Sequence, residues 1–133
     1  MEISCGTVLY TRNGGTAAYV LVRSADSCGF PKGHMEAGET EEQTALRETW
    51  EEVSVHAEIQ PGFRRETEYL LPGGSPKKAV YFLARFQGQT PAHNPDFEDL
   101  AILVLPYKQA YEALTYESMK AILREANAVI TGR

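Results

Sequence analysis

The sequence predicts an α/β fold in which a mixed sheet is covered by helices on both faces. Three observations carry this: strand-like segments on either side of one central helix, a helical stretch closing the chain, and glycine- or proline-marked breaks between them. At 133 residues the chain reads as one domain, 1–133, long enough to bury a core without disulfides or metals to hold it together.

The elements follow in order. Ile3–Thr11 and Ala17–Arg23 are rich in Val, Leu, Tyr and Thr and flank Asn13-Gly14-Gly15, which predicts a strand, a tight turn and a second strand. Phe30–Gly38, with Pro31, Gly33 and Gly38, reads as an ordered loop. From Thr40 to Val53 there is neither Gly nor Pro. Thr40 suits the N-cap, and Glu41 and Glu42 suit the positive end of the helix dipole. Strands are expected at Ala57–Gln60, Phe63–Leu70 and Lys78–Phe86, the last two separated by Pro72-Gly73-Gly74. Pro91–Asp99 reads as a loop and Leu100–Leu105 as a buried strand. Tyr107–Leu114 and Tyr116–Ile130 read as helices, Thr115 capping the second.

Composition narrows the function. At 43% hydrophobic and 23% charged, the chain is an ordinary globular protein. It has no apolar run of membrane-spanning length and no basic, then apolar, N-terminal signal, so neither a membrane nor export is indicated. Cys5 and Cys28 fit no metal or redox spacing and read as reduced thiols in a cytoplasmic protein. A net charge of −5 argues against general nucleic-acid binding. Nothing in the sequence sets an oligomeric state.

The charge is also concentrated. Eight glutamates (Glu36, Glu39, Glu41, Glu42, Glu48, Glu51, Glu52 and Glu58) stand against one arginine, Arg47. At about 100° per residue, Glu48, Glu51 and Glu52 share one sector of the helix, while Leu46, Thr49, Trp50 and Val53 fall roughly opposite. One face can pack on a sheet as the other presents three carboxylates to a common point. Just upstream, Phe30-Pro31-Lys32-Gly33-His34 supplies cationic side chains. Hard oxygen ligands suit magnesium, which binds phosphates alongside one or two carboxylates, and cations can hold the remaining phosphate oxygens. Acidic helix and basic loop together fit a metal–phosphate complex.

Gly33, five residues, Glu39, seven residues, Arg47-Glu48, two residues and Glu51-Glu52 resemble the Nudix box. At this chain's own residue frequencies such a match arises roughly once per million starting points. The resemblance implies the Nudix fold, a mixed sheet sandwiched between helices (α/β/α), and a pyrophosphohydrolase using Mg2+, with Mn2+ as a substitute. It implies metal ligands at Glu48, Glu51 and Glu52, catalytic roles for Glu51, Glu52 and Arg47, an Arg47–Glu39 ion pair, and a distal carboxylate at Glu98, or failing that Asp99. Two positions depart from the box: Ser54 stands for its glycine and Thr49 for its aliphatic residue.

Within the family, Phe30–Glu36 with Gly38-Glu39, Thr44–Thr49, and Pro76-Lys77 with Val80–Ala84 resemble the asymmetrical diadenosine tetraphosphate hydrolases. That subfamily often has tryptophan where Cys28 stands. The resemblance implies substrate contacts at Lys32, His34, Lys77, Tyr81 and Tyr116, the last against an adenine, and cleavage of the dinucleotide to ATP and AMP. Other Nudix substrates (nucleoside triphosphates, ADP-ribose, RNA 5′ ends) and a non-catalytic nucleotide-binding domain are the alternatives.

Overall fold

The computed structural model of the protein describes residues 1–97 and 99–132. Its strands are β1 (Glu2–Asn13), β2 (Thr16–Arg23), β3 (Cys28–Gly29), β4 (Lys32–His34), β5 (Glu58–Leu70), β6 (Pro76–Arg85) and β7 (Ala101–Pro106). Its helices are α1 (Glu41–Val53), α2 (Tyr107–Ala113) and α3 (Glu117–Thr131).

Among the described residues these strands form one mixed sheet, with β1 running parallel to β6 and antiparallel to β2. The first two strands splay apart. The outer half of β1 pairs with β2 (Leu9↔Val20 to Asn13↔Thr16), while its beginning takes β4 as partner (Ser4↔His34 to Gly6↔Lys32). The segment expected as a loop is therefore partly a strand. Its backbone fits so tightly over β1 that a Cβ on Gly6 would strike the Pro31 carbonyl and Lys32.

The central strands alternate between two apolar layers, as expected for a sheet covered on both sides. Val8, Tyr10, Tyr19, Leu21, Tyr81 and Leu83 pack with Met119, Ile122, Leu123 and Ala126 of α3 and Ala110 of α2. Leu9, Val20, Val22 and Ala84 meet Val53 of α1, and Val80 and Phe82 meet its Ala45. The α/β/α architecture expected from the sequence is the observed one.

Several boundaries differ for physical reasons. Ala57–Gln60 and Phe63–Leu70 are one strand, β5, interrupted by a register shift between Ile59 and Arg64 where Gly62 takes φ 92°. Thr115 does not cap α3. Its hydroxyl accepts from the Cys28 N–H (2.8 Å) and its N–H donates to the Cys28 carbonyl (3.1 Å), tying β3 to the start of that helix. Trp50 does not pack on the sheet. It is 46% exposed and lies flat on His56, ring centroids 4.0 Å apart.

Both departures from the box have a structural counterpart. Thr49 donates to the Ala45 carbonyl (2.8 Å), so its oxygen takes the Thr7 hydroxyl proton at 2.8 Å, an internal pair no aliphatic residue could make. Ser54 closes α1 in the left-handed conformation (φ 57°, ψ 39°), the one non-glycine residue with positive φ among those described. Such a conformation costs an L-residue roughly 1–2 kcal/mol, against a smaller entropic cost for glycine. Ser54→Gly is expected to stabilise the protein by about 0.5–1 kcal/mol in denaturant unfolding, with activity unchanged.

Candidate active site

Helix α1 opens with a capping box: the Thr40 hydroxyl accepts from the Gln43 N–H (3.1 Å) and the Gln43 side chain from the Thr40 N–H (2.9 Å). This fixes where the helix begins and thus which way Arg47, Glu48, Glu51 and Glu52 point. At its other end Asn94 Nδ2 donates to the Glu51 carbonyl (2.7 Å) and the Ala92 N–H to the Val53 carbonyl (2.9 Å). Terminal carbonyls of α1 are thereby satisfied by the loop that follows β6.

Arg47 joins the helix to β4 and the segment after it. A guanidinium has five N–H donors, and here each has an acceptor. Nε donates to Glu39 Oε2 (2.7 Å) and Nη2 to Glu39 Oε1 (3.0 Å) and the His34 carbonyl (2.9 Å). Nη1 donates to Glu48 Oε2 (2.9 Å) and Glu51 Oε2 (3.1 Å). Arg47 holds the Glu39 carboxyl down at about 2, aided by the Glu36 N–H at 2.9 Å. The Arg47–Glu39 pair expected from the sequence is present.

Glu48 lies against the backbone of β4. A Cβ on Gly33 would overlap its carboxyl group, so Glu48 can lie there only because the residue beneath it is glycine. Glu52 turns to the same strand, its Oε1 accepting from the Lys32 N–H at 3.0 Å. Burial raises the Glu48 carboxyl above the ordinary carboxylate range, against the lowering effect of Arg47. Burial also pushes Glu52 up to about 7; the Lys32 N–H opposes the shift and the charge of Glu48 adds to it. Lys32 is lowered, first by burial and then by the charge of Lys77.

Glu52 and Lys32 line a cleft of about 600 Å³. Its walls come from β3 (Cys28), Phe30, the far end of β5 (Thr67 to Leu70) and the start of α3 (Met119). Tyr116 opens onto it, 53% exposed. So does Tyr69, 40% exposed, whose hydroxyl is raised above its ordinary value first by partial burial and then by the nearby Tyr116. Tyr69 was not picked out by the sequence reading, although the alternation Phe63, Arg65, Thr67, Tyr69 along β5 sets it on the face that carries buried Phe63.

The other expected residues fall as follows. His34 is exposed at the end of β4, and its charge bears on Glu48. Lys77, 8% exposed, neighbours Lys32. Tyr81 is corrected: it is fully buried, its ring edge-on to Phe30 at 5.2 Å, because its position in β6 points into the layer beneath α3. Its hydroxyl has no hydrogen-bond partner among the described residues. Glu98 lies outside the described residues, and Asp99 is exposed. Among the described residues no three acidic, histidine or cysteine groups already converge as a metal cluster; Glu48 and Glu51 meet at Arg47 instead.

The donor set nevertheless fits a divalent cation. Two carboxyls whose burial disfavours ionisation, Glu48 and Glu52, stand beside a third, Glu51, and all carry the hard oxygen ligands such an ion takes.

Residues 3–126 match the NUDIX domain model. The chain belongs to the NUDIX family. It is a Nudix hydrolase, acting on pyrophosphate bonds in nucleoside polyphosphates, and enzymes of this family use divalent metal ions. It is 31% identical to the asymmetrical bis(5′-nucleosyl)-tetraphosphatase of Mus musculus over 93% of this chain and 92% of that protein. The Caenorhabditis elegans enzyme of the same name is 29% identical over 97% and 96%. A crystal structure of a C. elegans Ap4A hydrolase binary complex covers all of both chains with TM-score 0.89 and 25% identity. The Escherichia coli dihydroneopterin triphosphate pyrophosphohydrolase, 20% identical with TM-score 0.72 over 92% of each chain, shares the fold.

The site also predicts a pH dependence. Unfolded, Glu52 releases its proton near the ordinary value of 4.5; folded and metal-free, near 7. Between these values the unfolded chain binds fewer protons, so burying Glu52 costs stability that grows as pH rises and is absent below 4.5. In metal-depleted buffer Glu52→Gln should therefore raise unfolding stability by on the order of 2 kcal/mol at pH 8 and leave it nearly unchanged at pH 4. Denaturant unfolding at the two pH values checks this.

Proposed function

We propose that the chain hydrolyses diadenosine tetraphosphate asymmetrically, to ATP and AMP, with magnesium as its metal and manganese as a substitute. The observation that carries this reading is the cleft, in which Glu52 and Lys32 share one lining with the exposed aromatic rings of Tyr69 and Tyr116. A substrate that joins an aromatic base to a chain of phosphates suits that lining. The names of the mouse and C. elegans relatives support the same substrate.

In this reading Glu48, Glu51 and Glu52 hold the metal. Bound there, a divalent ion supplies Lewis acidity, lowering the pKa of a water molecule and offsetting charge on the phosphates. Glu51 or Glu98 accepts the proton the attacking water gives up. The water oxygen bonds to phosphorus, the P–O bond breaks, and the leaving phosphate departs with that electron pair. Lys32, His34 and Lys77 neutralise the remaining phosphate oxygens. Tyr116, joined by Tyr69, stacks on an adenine, since offset aromatic stacking suits a flat base. Tyr81 backs Phe30 from behind the cleft wall. Arg47 and Glu39 position Glu48 and Glu51 through the hydrogen bonds they share.

The reading treats 1–133 as one such domain in the cytoplasm. Both cysteines are free and buried, as reduced thiols would be, and no helix of the described residues is long and apolar enough to cross a membrane.

Incubating the protein with diadenosine tetraphosphate, ATP and ADP-ribose at saturating magnesium, and separating products chromatographically, tests the substrate. The dinucleotide should be consumed fastest, giving ATP and AMP in equal amounts; faster turnover of ADP-ribose would contradict the assignment. Glu52→Gln should lower turnover by about 10²-fold or more, the several kcal/mol that metal charge stabilisation supplies. Activity within a few-fold of the parent would remove Glu52 from the ligand set.

A further inference from the structure

A second concavity, of about 320 Å³, lies beyond the C-terminal end of α1 and shares no lining residue with the cleft. His56 follows the helix into it, Glu58 begins β5, Arg85 ends β6, and Gln60, Gln87 and Gln89 complete its polar walls.

Arg85 is the cation of this groove, and it enters no ion pair among the described residues. It stands directly opposite Glu58 across the β5–β6 ladder, where paired side chains share one sheet face. Its Nε is buried, with no acceptor among the described residues. An unsatisfied buried donor is costly, and an anion held by the outer N–H groups of the same guanidinium would offset that cost through its charge.

The rest of the groove adds donors. Gln89 is fixed by both ends of its amide, which accepts from the His56 N–H and donates to the His56 carbonyl, both at 2.8 Å. Gln60 Nε2 spends one donor on the Glu58 carbonyl (3.2 Å) and has a second. Gln87 is exposed. A guanidinium fork with amide and imidazole N–H groups around it offers more donors than the two oxygens of a carboxylate can use, and suits the three free oxygens of a phosphate group.

We propose that the groove formed by Arg85, His56, Gln60, Gln87 and Gln89 binds a phosphate group, either free phosphate or the phosphate of a nucleotide, at a site separate from the catalytic cleft. Arg85 anchors the anion, and the Glu58 carboxylate beside it weakens the binding.

The protein carries its own reporter, since Trp50 is the single tryptophan and stacks on His56. The test is to titrate inorganic phosphate, adenosine 5′-monophosphate and acetate separately into the full chain in metal-depleted buffer, following Trp50 fluorescence. Inorganic phosphate should give a saturable change that weakens about ten-fold or more in Arg85→Gln and in Gln87→Glu, an exposed position that does not threaten folding, and tightens in Glu58→Gln. Lys32→Ala, in the cleft, should leave it unchanged. Tighter binding of the monophosphate through the same variants would support the site with a nucleotide as the source; equal or weaker binding would support it with free phosphate. The proposal is overturned if phosphate gives no saturable change, if Arg85→Gln and Gln87→Glu bind it as tightly as the parent, if Lys32→Ala abolishes the change, or if acetate binds as tightly as phosphate.

Discussion

The arrangement of the site depends on one guanidinium. Arg47 gives all five of its donors to protein acceptors, two of them on Glu39, one on the backbone of β4, and one each on Glu48 and Glu51. Glu39 is held in turn by the Glu36 N–H and the Thr44 hydroxyl, both at 2.9 Å. The strand that carries Lys32 and His34 and the helix that carries the acidic groups are therefore one unit. A lysine at the same place would have three donors on a flexible stem and could not hold both elements. The absence of a side chain at Gly33 matters equally, because it lets the Glu48 carboxyl lie directly on that strand.

This construction leaves an electrostatic imbalance that suits the family's chemistry. Arg47 offsets Glu48 and Glu51 from one side, whereas Glu52 has the Lys32 N–H and ammonium against the charges of Glu48 and Glu51, and its burial keeps its proton on to about 7. Lys32 is itself crowded by Lys77 and partly desolvated. A polyanion and a divalent cation arriving together would relieve both strains at once, the cation at the carboxyls and the phosphates at the lysines.

Much of this was legible in the sequence because it is local. The helix from Thr40, the carboxylates spaced by three and four, and the residues that separate Gly33, Glu39 and Arg47 are all fixed by periodicity over short distances. What was not legible depends on partners far along the chain. Lys32–His34 reads as a loop until β1 splays from β2 and leaves an edge to pair with. Thr49 reads as a departure until Thr7, forty-two positions away, is beside it. Trp50 sits on the apolar side of the helical wheel yet stacks on His56 at the surface, and Tyr81 reads as a ligand from its neighbours in sequence but is enclosed by the sheet. Tyr69 was missed because a long strand of mixed charge gave no reason to prefer one of its faces until α3 and Tyr116 defined the cleft.

The central claim is that Glu48, Glu51 and Glu52 take up a divalent cation, and titration calorimetry with magnesium and manganese tests it most directly. At pH 7 binding should release protons, seen as a heat that scales with the ionisation enthalpy of the buffer, because Glu52 must give up its proton to become a ligand. If the folded protein takes up neither ion, with or without a non-hydrolysable dinucleotide, the account is contradicted.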